Sequence, residues 1–184
     1  MSVVPRQSKR DLADELKGAL RDHPQAVTIV TAQGPDGPVG VTVSSFTSAS
    51  MNPPLIVVWI GDGASAWPVL RTAPLFAVHL LHAGQSALSD LFARTGSDRF
   101  GDGTNWESDV DGVPHLLDAP LRLRCRTARR IAVGDHVALV GEPLEVQHTG
   151  GTPPLIRFQG RYTSVVGRSS GDGGSAARGR PRAD

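Results

Sequence analysis

The sequence predicts a mostly β domain with a few helices, arranged as a mostly antiparallel barrel. Three observations carry this reading. Apolar residues alternate at period two in several short runs, as in Val39, Val41 and Val43. The runs are joined by hairpin-length connections, without the crossover helix that a parallel sheet needs after nearly every strand. Gly (21) and Pro (14) are abundant while aromatics make up 5%, which suits many tight turns and not a bundle of long helices.

The elements follow in order. Ser8 opens a helical pattern with Asp11 three residues on, as in a capping box. Leu12, Leu16 and Leu20 repeat at spacing four, and His23-Pro24 ends the run. Residues 27–32 read as a strand, Gly34-Pro35-Asp36-Gly37-Pro38 as a turn, and residues 39–43 as the return strand of a hairpin. Residues 44–50 form a polar loop, and residues 55–60 a buried strand. Residues 64–72 make a short helix between Gly63 and Pro74, with Ser65 at its head. Residues 75–81 are a strand and residues 84–94 a helix. Residues 95–118, rich in Gly and Asp, read as irregular. Leu121, Leu123 and Cys125 alternate with Arg122, Arg124 and Arg126 in a half-exposed strand. Residues 133–136 are a turn, and residues 137–147 and 155–166 complete about seven strands. Residues 1–7 are expected to be disordered, residues 8–166 to form the domain, and residues 167–184 to be a disordered tail of Gly, Ser, Ala and Arg.

Composition narrows the function classes. With 19 basic and 18 acidic residues the formal charge is +1, so no charge excess points to nucleic acid or to an anionic membrane. The longest apolar run, residues 55–60, is too short to span a bilayer as a helix. Residues 1–10 lack the apolar stretch of a signal peptide. Cys125 is the only cysteine, which excludes an internal disulfide and a cysteine zinc site and points to a cytoplasmic setting.

Familiar catalytic motifs are absent. Gly61-Asp62-Gly63-Ala64-Ser65-Ala66 follows a strand and matches a dinucleotide fingerprint in outline. The helix that should follow meets Pro68 at once, and no acidic residue lies about 20 positions on to hold a ribose. There is no nucleophile elbow, no P-loop and no metal-binding histidine pair on a helix. The arginines from Arg122 to Arg130 read as a solvated strand face, and Cys125 as an inert core residue. What remains is residues 44–50, with five hydroxyl residues in seven, pinned between two apolar strands. Such a segment offers a row of donors suited to the acceptor-rich edge of a heteroaromatic ring.

Several segments, taken in order, resemble the short-chain flavin reductases, the reductase partners of two-component flavin-dependent monooxygenases. They are Val27-Thr28-Ile29-Val30-Thr31-Ala32, Gly37-Pro38-Val39-Gly40-Val41-Thr42-Val43-Ser44-Ser45-Phe46-Thr47-Ser48 and Pro53-Pro54-Leu55. Further on come Phe76-Ala77-Val78 leading to Gln85, Asp98-Arg99-Phe100, Gly134-Asp135-His136 and Gly160-Arg161-Tyr162. The resemblance covers about residues 20–166.

The resemblance implies an FMN-binding split β-barrel with Greek-key-like connections, usually a homodimer. It implies hydride transfer from NADH or NADPH to N5 of FMN or FAD, and delivery of reduced flavin to a monooxygenase. It assigns Thr31, Thr42, Ser44, Ser45, Phe46, Thr47 and Ser48 to the flavin, Ser65 to its phosphate, and His136 to the nicotinamide. Two departures stand out. Asp62 lies where a basic residue is common, so either Arg99 supplies the missing charge or the phosphate sits elsewhere; and His79 stands where the family usually has Asn, so a flavin contact is expected to change. The hydride chemistry belongs to the cofactors, which fits the lack of an acid–base pair. Two alternatives share this barrel: a flavoprotein that retains FMN and reduces another acceptor, and a flavin-binding module without turnover.

Overall fold

The computed structural model describes residues 9–165. The expected disordered ends, and Ser8 of the capping box, lie outside the described residues. Helix α1 (Lys9–Ala19) runs through a single 3₁₀ turn into β1 (Gln25–Ala26). The strands that follow are β2 (Thr28–Gly34), β3 (Gly37–Val43), β4 (Thr47–Met51) and β5 (Pro54–Gly61). After α2 (Trp67–Leu70) come β6 (Leu75–Leu80) and α3 (Ser86–Ala93). Then come β7 (Trp106–Ser108), β8 (Pro114–Leu116), the long β9 (Leu121–Val133) and β10 (His136–His148), β11 (Ile156–Phe158) and β12 (Arg161–Thr163).

Seven strands form the principal antiparallel sheet, in the order β3-β2-β6-β9-β10-β5-β4. Its inner face closes on one cluster that includes Val30, Ile56, Val58, Phe76, Leu123 and Leu139. The two ends of the sheet approach without a shared ladder. The Ser45 hydroxyl, just past β3, donates to Trp59 O of β5 at 3.0 Å and accepts from Trp59 N at 3.1 Å. The result is a split β-barrel. Strand β2 is buried on both faces. Val30 points into the barrel, while Ile29 joins Val27, Leu81, Phe92 and Leu116 in a second cluster under α3.

Gly40 sets how closely α3 approaches the barrel. A Cβ there would lie 2.5 Å from the Phe92 ring, nearer than two carbons can pack. Gly134 occupies a left-handed conformation (φ 62°) in the turn from β9 to β10, where a side chain would be strained.

Several sequence expectations change. Residues 47–51 are not loop: their hydroxyl-rich sequence forms the edge strand β4, paired to β5. Residues 95–118 contain the β7–β8 ribbon. The short helix covers only Trp67–Leu70 and is capped by Ala66 without a side-chain bond, so Ser65 is not its N-cap. Strands β11 and β12 form a separate sheet with β1. The arginine face is partly consumed by structure. Arg124 pairs with Asp109 (2.8 Å) and Asp111, Arg126 pairs with Glu142, and Arg130 donates to the carbonyls of Leu70 and Ala73 beyond α2. Cys125 is buried as expected, and burial pushes its thiol up to about 12. Among the described residues no helix is long and apolar enough to cross a membrane.

Candidate flavin and nicotinamide site

One end of the sheet brings together His136, Ser44 and the turn that follows β5. Strand β10 pairs with β5 so that His136 stands opposite Gly61, and Asp62 N donates to Asp135 O at 3.1 Å. The turns around residues 61–65 and 133–136 are therefore held side by side. His136 and Ser44 both line a groove of about 730 Å³ between this end and α1.

The hydroxyl segment is well fixed. Ser44 Oγ donates to Gln25 Oε1 at 3.0 Å, and Ser45 is tied to Trp59. Phe46 packs against the barrel core, which orients the start of β4. Thr47 Oγ1 donates to Ser48 O at 3.2 Å, and both residues are exposed. Because β4 is the edge of its sheet, its outward N–H groups have no strand to pair with. The hydroxyl protons of Ser44, Ser45 and Thr47 are thus spent within the protein, and what this segment offers outward is the N–H groups of the edge strand.

Ser65 and Arg99 meet. Arg99 Nη2 donates to Ser65 Oγ at 3.2 Å and to Arg94 O at 2.7 Å. Arg99 Nε is buried without any partner, and burial lowers the guanidinium's pKa. No carboxylate among the described residues forms an ion pair with it. An orphaned buried N–H on an unneutralised cation, beside an exposed hydroxyl, is a fitting seat for a phosphate oxygen.

His136 opens β10, with its side chain about half exposed (49%). Its Nδ1 lies 2.7 Å from Asp135 Oδ1, and this bond holds the Asp135 carboxyl below its usual range. In the neutral ring, Nδ1–H donates to the carboxylate and Nε2 is left as an acceptor.

Two other candidates lie elsewhere. Thr31 is fully buried, its hydroxyl donating to Pro114 O, so it ties β2 to β8 and does not reach the groove. Thr42 Oγ1 donates to Ser89 O at 2.7 Å and anchors α3 to β3. The expected change at His79 also takes another form. Its ring is fully buried, Nδ1–H donates to Ile29 O and Nε2 accepts from Leu116 N, each at 3.1 Å. Burial lowers its pKa to about 3. His79 is a neutral cross-brace of β6, β2 and β8 and does not line the groove.

The sequence reading missed other parts of the groove wall, among them Gln25, Asp135, Arg157, the α1 residues Leu16 and Lys17, and Leu20 of the 3₁₀ turn. The one signal for α1 was its leucine spacing, because Leu12, Leu16 and Leu20 remain 56%, 56% and 54% exposed.

Comparison with known proteins agrees with this geometry. A family model described as a flavin reductase like domain matches residues 20–165. A protein from Agrobacterium fabrum named FMN reductase (NADH) SmoA is 40% identical over 137 residues, covering 74% of this chain and 78% of its own. The solved structure of the Streptomyces globisporus NADH:FAD oxidoreductase SgcE6 superposes with a TM-score of 0.80 at 30% identity, over 90% of this chain and all of that one. BorF, the flavin reductase component of a bacterial two-component tryptophan halogenase, superposes with a TM-score of 0.77 at 27% identity, over 85% of this chain and 99% of that one. This chain therefore belongs to the flavin reductase-like family.

Proposed function

We propose that the protein is a flavin oxidoreductase that takes hydride from NADH and passes it to FMN at this end of the barrel. The observation that carries the reading is the seating of His136 and Ser44 in one groove. The segment after the neighbouring Gly61–Asp62 turn leads to Ser65, which is bonded to the orphaned Arg99.

Bound flavin and nicotinamide supply the hydride chemistry themselves, N5 of one receiving from C4 of the other. The protein's own residues bind and orient. The backbone donors of β4 and the hydroxyl of Ser48 suit the polar edge of the ring, where negative charge grows on reduction. Phe46 and the Ser45–Trp59 link hold that edge in place. Arg99 and Ser65 suit the phosphate. His136, oriented by Asp135, positions the nicotinamide. Thr31 and Thr42 support this framework from behind.

FMN is the flavin favoured by the name of the A. fabrum relative, and NADH is the donor named there and for SgcE6. FAD and NADPH are the competing choices. The role of BorF supports delivery of reduced flavin to a separate flavin-dependent monooxygenase or similar oxygenase. Exposed apolar residues along β9 and β10 (Ile131, Val133, Leu144 and Val146) support a homodimer. A lone, buried Cys125 fits a reducing, cytoplasmic setting. The test is steady NADH consumption with excess free FMN. Flavin that survives desalting would favour a protein that retains FMN for another acceptor. Binding without NADH consumption would leave only a flavin-binding module.

A further inference from the structure

The groove that holds His136 carries more positive charge than a nicotinamide ring needs. Lys17, Arg21 and Arg157 line it, and Asp135, already bonded to His136, is the only carboxylate besides Asp22 among the described residues that line it. Among the described residues no carboxylate forms an ion pair with any of these three cations. Arg21 Nη2 reaches only the carbonyl of Gln159, at 3.5 Å, and Arg157 sits 5.2 Å over the ring of Tyr162. Lys17 and Arg21 follow from a plain structural cause, because cations are favoured near a helix C-terminus. Arg157 does not: it lies on β11, in another sheet, and still faces the same groove. Unpaired cations from separate elements around one concave surface concentrate positive potential there. Beside them Leu16 and Leu20 present an apolar strip that is more than half exposed.

We propose that Lys17, Arg21 and Arg157 clamp the pyrophosphate of the pyridine dinucleotide while Leu16 and Leu20 bed its adenosine. This rests on the reading of the His136 groove as the hydride-transfer site. The Ser65–Arg99 pair already suits the flavin phosphate, so the second cationic cluster calls for a second anionic ligand. A dinucleotide with its nicotinamide at His136 places its pyrophosphate within the same groove. Charge-assisted bonds to phosphate are strong enough to set the KM of such a donor.

The test compares NADH with reduced nicotinamide riboside, which has the same reacting ring and no phosphate. The exposed Lys17→Gln and the Arg157→Gln variants are assayed with saturating FMN. Each is expected to raise the NADH KM about ten-fold, with kcat and FMN Kd unchanged, because one charged hydrogen bond is lost. With the riboside both variants should match wild type. An unchanged NADH KM would overturn the clamp. So would equal losses with both donors, which would make these residues supports of the groove. A variant that loses activity together with a drop in particle mass would show that the groove is an interface between copies. If the wild type oxidises neither donor, the hydride-transfer reading itself fails, and that result is separate from all the others.

Discussion

Single residues here change meaning with their surroundings. Arg99 looks like one arginine among many in the sequence, but its buried, unpartnered Nε and its bond to Ser65 are what make it the proposed seat of the flavin phosphate. Arg99→Met should weaken FMN about ten- to a hundred-fold, since a charge-assisted bond to a phosphate is lost. Riboflavin, which lacks the phosphate, should bind wild type and variant alike. Equal weakening of both ligands would place Arg99 away from the phosphate. His79 behaves in the opposite manner: a titratable ring with no part in the groove. Its folded pKa of about 3 lies below the ordinary 6.5, so the unfolded chain binds the extra proton first. Its contribution is complete above pH 6.5 and is lost as pH falls toward 3, by about 1.4 kcal/mol per pH unit. The groups around it, His115 with Asp109 and Arg124, are the same in both proteins being compared. His79→Gln keeps a donor and an acceptor, and its thermal midpoint should depend less steeply on pH between 6.5 and 4 than that of wild type. Identical slopes would mean that His79 does not govern acid stability.

At the scale of elements, period-two alternation made most strands legible, because each half-buried strand writes its two faces into successive residues. What stayed hidden has physical reasons. Five hydroxyls in seven residues mask β4, since an exposed edge strand needs little apolar content. Ribbon β7–β8 escapes notice because its strands are three residues each. That ribbon covers Thr31 and His79, so their burial was equally unreadable. The cationic groove combines α1, the β9–β10 turn and β11, segments far apart in sequence. The Gly40 and Phe92 contact tests the packing of α3 directly. Gly40→Ala should cost about 1–3 kcal/mol by overpacking. Phe92→Leu in the same chain should recover part of that loss, giving a favourable coupling in a double-mutant cycle. Strict additivity of the two changes would show that α3 does not rest on Gly40.

For the whole molecule, a barrel left open at one side and an α1 without a single buried residue leave apolar surface uncovered. Sedimentation should give a mass near twice 19.4 kDa, and a stable monomer that binds FMN normally would refute the proposed homodimer. The catalytic reading depends on three proposed parts acting together: the N–H donors of β4 for the flavin edge, Arg99 for its phosphate, and His136 for the nicotinamide. The most direct measurement is anaerobic stopped-flow bleaching of FMN by NADH and by NADH deuterated at the transferring C4 position. Bleaching is expected to depend on protein, to slow with deuterium, and to slow about five- to thirty-fold in His136→Ala with FMN Kd unchanged, as one lost orienting contact implies. FMN that binds yet bleaches no faster than it does free in solution would contradict hydride transfer at this site.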